Sequence, residues 1–230
     1  MSITVVMPAY NEEGAIEGAV REVKEGVLDR VPGSFLCVVN DGSKDRTREI
    51  LDRLSAADPR VKGIHQPNGG HGAALITGMD AATTDWILLI DSDRQIPLDS
   101  FPLAWAKAQE GDGAFGIRVS RKDAPTRIVL TKIIRFVLFL MFFRWIRDAN
   151  VPYKIIRRSL WKEASRIIPR GTLAPSLFLA IYARVKGFRI AEVPVEHKDR
   201  ETGEVSIKKW KLVKFCGRAF RQLLRFRMAL

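Results

Sequence analysis

The sequence predicts an α/β protein, a mostly parallel Rossmann-like sheet flanked by helices. Three observations carry this. Apolar runs of strand length recur at residues 3–7, 35–39 and 86–90, each suited to a strand buried on both faces. Helix-like segments alternate with them across short loops, the order that parallel crossovers need. Each run ends in a polar cluster, and in open α/β sheets ligands bind beyond the carboxyl ends of the strands.

The first strand, ITVVM, leads into the turn PAYNEEG. Asn11 or a neighbour caps a helix over 12–28, with Glu12, Glu13 and Glu17 in its first turns, where acids suit the helix dipole. Pro32-Gly33 breaks the chain before the second strand, FLCVV, which ends in Asn40-Asp41-Gly42-Ser43. A helix over 45–57, a short strand at 61–65 and the loop QPNGGHG follow. Residues 73–82, rich in small side chains, predict a helix packed closely on the sheet. The fourth strand, WILLI, runs straight into Asp91-Ser92-Asp93.

Beyond it, GDGAFGIRV (111–119) reads as a loop entering a strand. Residues 126–147 are the most apolar of the chain, but the longest uncharged stretch is 136–143, far short of the roughly 20 residues that span a bilayer. Arg127, Thr131 and Arg135 would align as one polar stripe on that rod. It is either a core helix or one lying in a membrane interface. A strand at 153–156, a helix over 160–168, the loop PRGTLAPS, a helix over 177–185 and a strand at 188–195 come next. From Lys208 onward, Leu212, Val213, Cys216, Ala219, Phe220, Leu223 and Leu224 recur at helical spacing among lysines and arginines. The domain reading is 1–207 as one unit containing the 126–147 rod, and 208–230 as a basic amphipathic helix.

Charge is divided unevenly. Residues 1–115 hold 11 Lys and Arg against 18 Asp and Glu, whereas residues 116–230 hold 27 against 8. The second half therefore calls for an anionic partner, a membrane surface or a nucleic acid. An anionic membrane suits the basic terminal helix best. Acidic strand ends argue against nucleic acid, since they would repel its phosphates. Cys37 and Cys216 make neither a disulfide framework nor a zinc site. His65, His71 and His197 lack metal-ligand spacing. With no cleavable signal legible, the expectation is a cytoplasmic protein, peripheral to the membrane and without a transmembrane segment.

Chemistry concentrates in DSDRQIP. In an extended chain residues two apart point the same way, so Asp91, Asp93 and Gln95 could present three oxygens to Mg²⁺ or Mn²⁺. No G-x-G-x-x-G follows the first strand and there is no P-loop, which disfavours a dehydrogenase or a P-loop nucleotidase.

Taken together, PAYNEE (8–13), NDGSKDRT (40–47), NGGHGAAL (68–75) and DSDRQIP (91–97) resemble the motifs of family 2 glycosyltransferases of GT-A fold. Within that family the set is most similar to dolichol-phosphate mannose synthases and related polyprenyl-phosphate glycosyltransferases. GIRVSRKD, DANVPYKIIRR and EVPVEHKDRETGEVS match less closely. The resemblance implies a nucleotide-sugar site from Pro8, Tyr10, Glu12, Val39, Asp41, Asp91, Ser92, Arg200 and Lys208 (or Ser206). It implies metal ligands at Asp91, Asp93 and Gln95, with Asp93 and Arg118 catalytic. Arg118, Arg127 and Thr131 would meet the acceptor phosphate. The donor would be a GDP- or UDP-linked hexose of mannose or glucose type, the acceptor a polyprenyl or dolichyl phosphate. A membrane-anchoring partner subunit is compatible with this scheme.

A hydroxyl acceptor needs a general base, whereas a phosphate is already anionic and needs cations to hold it. PRGTLAPS carries no acid where many relatives show one, which favours the phosphate. Asp148 is the carboxylate kept as a candidate base for the alternative, a hydroxyl of a soluble or glycan acceptor. Arg94, where relatives have an apolar residue, and Lys154, in place of a common arginine, also depart from the pattern.

Overall fold

The computed structural model describes residues 1–119, 135–149, 151–172, 174–197 and 209–230. Its strands are β1 (Ile3–Ala9), β2 (Phe35–Asp41), β3 (Val61–Gln66), β4 (Trp86–Ile90), β5 (Gly113–Arg118), β6 (Tyr153–Arg157) and β7 (Ile190–Val195). They form one sheet in the order β3-β2-β1-β4-β6-β5-β7. β1 to β4 are mutually parallel, as are β5 and β7. β6 alone among these strands runs antiparallel, between β4 and β5. The mostly parallel α/β architecture is thus as the sequence indicates, and both faces are covered, as all-apolar strands require.

One face buries Val5, Met7, Leu36, Leu88 and Tyr153 under α1 (Ile16–Val23), α2 (Thr47–Ala57) and α4 (Phe101–Gln109). The other buries Val6, Ile87, Leu89, Phe115 and Ile156. Over it lie α3 (His71–Ala81), the described helix α5 at 135–142, α6 (Arg158–Ala164), α7 (Pro175–Val185) and the end of α8 (Lys209–Ala229). α3 packs closely because Gly78 leaves no side chain: a Cβ there would stand 2.4 Å from Val6 Cγ1.

Three details differ from the sequence expectation. The first helix starts at Ile16 rather than residue 12, because 11–13 bond to the loop after β2, and it widens into a π-helical turn, Lys24–Leu28. Residues 98–109, given no element above, form a 3₁₀ turn (Leu98–Ser100) and α4. Pro102 sits in the first turn of α4, where its missing N–H has no intrahelical partner to lose. In α8, Leu223 and Phe226 are buried, with Phe226 edge-on to Phe178 at 4.9 Å. Phe220 and Leu224 stay exposed. The terminal helix therefore joins the core at its end while keeping apolar groups on its surface. Arg127, Thr131, Arg200, Ser206 and Lys208 lie outside the described residues.

Candidate functional site

The ends of β1 to β4 and β5, and the start of β6, meet at one edge of the sheet. The loops there are stitched together in sequence order. Asn11, in the left-handed region at φ 55°, donates its N–H to Ser43 Oγ (3.0 Å), and its Oδ1 accepts from the Lys44 N–H (2.8 Å). The Glu12 N–H donates to Thr47 Oγ1 (2.8 Å), and the Glu13 N–H to Asp45 Oδ2 (3.0 Å). Side chains of the second loop thus satisfy amides at the approach to α1, as a helix start requires. Tyr10 stands beside this seam, 44% exposed, with its ring open to solvent.

Asp41 ties the second loop to the third. Its Oδ1 accepts from Gln66 Nε2 (2.7 Å) and the Gly69 N–H (2.9 Å), and its Oδ2 from the Gly70 N–H (2.7 Å). The next residue, Gly42, has φ +69°, and a Cβ on it would stand 2.7 Å from the Asn68 backbone nitrogen. Asp41 is 2% exposed. In this structure its oxygens hold the glycine loop, so Asp41 shapes the strand-end loops from beneath. Pro8 and Val39 are likewise buried. Their side chains belong to the core, and their place in the site is that of backbone.

The third loop reaches the fourth through His71, the first residue of α3, whose Nε2 lies 2.9 Å from Asp91 Oδ1. Partial enclosure opposes charge on this imidazole. The hydrogen bond to Asp91 and the charges of Asp91, Asp93 and Asp41 outweigh it and raise the His71 pKa. After Ile90 the strand stops and the chain turns, with Ser92 buried and Arg94 at φ 57°. This corrects the extended 91–95 geometry, because the alternation of side chains ends with the strand. Asp93 Oδ1 instead accepts from the Gln95 N–H at 3.1 Å, closing the turn. Arg94 donates from Nε to Glu22 Oε2 (2.9 Å), while Glu22 Oε1 accepts from the Leu98 N–H (3.3 Å), so α1 braces the turn.

Among the described residues no three His, Cys, Asp or Glu side chains stand at metal-ligand spacing. The donor chemistry still fits a hard divalent cation, since one turn carries two carboxylates and an amide oxygen. The field of Asp91, Asp93 and Asp41 already favours positive charge on His71.

Across from this acidic turn, Arg118 at the end of β5 grips Asp148. Nε donates to Oδ2 (2.8 Å) and Nη2 to Oδ1 (2.7 Å), with the side chains 14% and 7% exposed. Such a fork is the strongest arrangement for this pair. Asp148 is therefore an orienting partner for Arg118 in this structure. Lys154 lies close by, fully buried in β6. Burial pushes its ammonium from 10.5 down to about 7; the charges of Asp148 and Asp91 resist this and Arg118 adds to it. The structure thus brings together Tyr10, Glu12, Asp91, Asp93, Gln95, Arg118 and Asp148 around one sheet edge. His71 and Lys154 were not singled out as site residues. Their sequence signals are a histidine directly after a Gly-Gly pair and a lysine interrupting an apolar strand.

An α/β sheet whose strand-end loops surround one acidic turn places a candidate binding site at its carboxyl edge, as open α/β enzymes do. The chain belongs to glycosyl transferase family 2, whose model matches residues 4–170. Undecaprenyl-phosphate 4-deoxy-4-formamido-L-arabinose transferases of Salmonella choleraesuis and Salmonella paratyphi B are each 28% identical to it over 205 residues. The match covers 88% of this chain and 61% of each of theirs, so the chain spans less than two thirds of the length of these curated relatives. Glucosyl-3-phosphoglycerate synthase from Mycobacterium tuberculosis, crystallised with Mn²⁺, UDP and phosphoglyceric acid, superposes with a TM-score of 0.71 at 20% identity, covering 98% of this chain and 78% of that one. S. aureus TarS 1–349 in complex with UDP-GlcNAc gives a TM-score of 0.65 at 20% identity over 97% of this chain and 67% of that one. The fold is GT-A.

Two outcomes follow from the geometry. Asp41→Ala strands the Gly69 and Gly70 amides, a loss of about 1–3 kcal/mol for each buried donor left unpaired. Chemical denaturation should show that loss together with weaker nucleotide binding. For Lys154, the folded chain has released a proton that the unfolded chain still holds between pH 7 and 10.5. Stability from this group therefore rises with pH across that window and is lowest below it. Lys154→Met should flatten the slope and add on the order of a few kcal/mol at pH 7 and below, measured by urea titration of both proteins across pH.

Proposed function

We propose that this protein is a metal-dependent, inverting glycosyltransferase that moves a sugar from a nucleoside-diphosphate donor to a polyprenyl or dolichyl phosphate at a membrane surface. The Arg118–Asp148 pair is the observation that carries the acceptor class. Asp148 is held in a fork, which suits it poorly to deprotonate a hydroxyl, whereas Arg118 Nη1 has no partner among the described residues and can meet a phosphate oxygen. An anionic nucleophile needs that cation and no base. The curated relatives are named for transfer to undecaprenyl phosphate, which supports the same acceptor.

On the donor side, Tyr10 borders the base, Glu12 is placed beside the ribose, and the loop fixed by Asp41 shapes the wall of the site. A divalent cation, Mg²⁺ or Mn²⁺, would be held by Asp91, Asp93 and Gln95. It would supply neutralisation of the leaving diphosphate's charge, and the Mn²⁺ in the glucosyl-3-phosphoglycerate synthase crystals supports a metal at this fold's site. Arg118, oriented by Asp148, holds the acceptor oxygen for in-line attack on the anomeric carbon, and the nucleoside diphosphate departs on the opposite side. Arg127, Thr131, Arg200 and Lys208 are proposed as further phosphate and donor contacts. The sugar is assigned as a hexose of mannose or glucose type, GDP- or UDP-linked.

Membrane association rests on the surface beside α5 and α8. Phe136, Leu140, Phe143 and Trp145 are exposed there with Phe220 and Met228, and the Arg227 guanidinium lies 5.7 Å from the Phe143 ring centre. Apolar rings among arginines suit an anionic interface. No described helix is long and apolar enough to cross a membrane.

Incubation with radiolabelled GDP- and UDP-sugars, 4-amino-arabinose derivatives included, and polyprenyl phosphate should give lipid-linked product. Asp93→Ala should reduce it at least about 100-fold, the scale on which removing a charge-stabilising group acts. Transfer confined to a water-soluble acceptor would overturn the proposal.

A further inference from the structure

Lys154 is the second residue of β6, paired across to Leu89 of β4 and to Phe115 of β5. Its side chain lies on the face that buries those residues and Ile156, fully out of solvent. An amine in such a place is costly unless hydrogen-bonded. Nζ donates to the Val151 carbonyl (2.5 Å), lies 2.7 Å from Ser176 Oγ, and stands 5.4 Å from the centre of the Phe115 ring. Ser176 is the second residue of α7. Val151 closes a turn, its N–H donating to the Asp148 carbonyl at 3.4 Å. The Asp148 carboxylate in turn holds Arg118. One buried amine therefore ties the start of α7 to the turn that orients the arginine.

Filling this space does not by itself call for an amine. An apolar side chain of the same length would fill the space without a desolvation penalty, and departures from that rule collect at functional sites. The depressed pKa of Lys154 agrees with a group held in place at a cost to stability.

We propose that Lys154 is a positioning residue for the acceptor: by clamping the Asp148–Val151 turn to the start of α7, it fixes Arg118 in the orientation that meets the anionic acceptor group. This rests on the reading of Arg118 as the acceptor-phosphate contact. Lys154 itself touches no substrate. Its removal is therefore expected to act first on acceptor binding, with the donor side, which it reaches only through β4 and the charge of Asp91, affected less.

The test compares Lys154→Met, Ser176→Ala and Arg118→Gln in the full chain, with polyprenyl phosphate and nucleotide sugar varied separately. Lys154→Met should melt at or above the wild-type temperature at pH 7. Its KM for polyprenyl phosphate should rise about tenfold while the donor KM stays within about twofold. Ser176→Ala deletes one hydroxyl and keeps the fold testable should Lys154→Met be poorly folded. It should shift the acceptor KM in the same direction by a smaller factor. An unchanged acceptor KM in both variants, beside a raised one in Arg118→Gln, overturns the clamp. So does an equal rise in both KM values, which marks general loosening. A rise in Lys154→Met without one in Arg118→Gln overturns the acceptor role of Arg118, and with it this route.

Discussion

A buried carboxylate between two loops sets the shape of this site. Asp41 receives the Gly69 and Gly70 amides and the Gln66 side chain, and so fixes the start of α3 against the end of β2. His71, one residue further, then stands within hydrogen-bonding distance of Asp91. On the other side of Asp41, Ser43, Asp45 and Thr47 hold the loop that carries Tyr10 and Glu12. Four loops from four parallel strands thus behave as one surface. Bonds to charged groups at buried positions are worth about 1.5–3 kcal/mol each, which is enough to hold short loops rigid.

The two halves of the chain differ in charge. The strands of the acidic first half end in carboxylates that suit a metal and a nucleotide. The basic second half contributes Lys154 and the Arg118–Asp148 pair, on which the proposed acceptor role rests. β6 makes the junction, because running antiparallel between β4 and β5 brings its start to the same edge as their ends. That placement sets the turn carrying Asp148 opposite the acidic turn after β4.

The parallel half of the fold was legible because its strands are unbroken apolar runs and its loops are marked by Gly, Asn and Asp. α4 was not, since Phe101-Pro102 reads as a break unless the proline falls in the first turn. The acidic turn was found by composition, but its geometry was not. Side-chain alternation holds in a strand, and Arg94 takes the chain into a left-handed turn beyond Ile90. The loop contacts of Asp41 were not legible, because those partners lie 25 to 29 residues further on and no local pattern points to them. Lys154 stood out only as a departure from a resemblance; its burial and its bond to Ser176 depend on how α7 packs on the sheet.

The most direct measurement is a crystal structure with a nucleoside diphosphate and Mn²⁺, read from the manganese anomalous signal. The predicted result is a manganese peak beside Asp93 with the diphosphate bound at the same turn and the base against Tyr10. A diphosphate bound elsewhere on the sheet, or bound without metal beside an undisturbed His71–Asp91 contact, would contradict it.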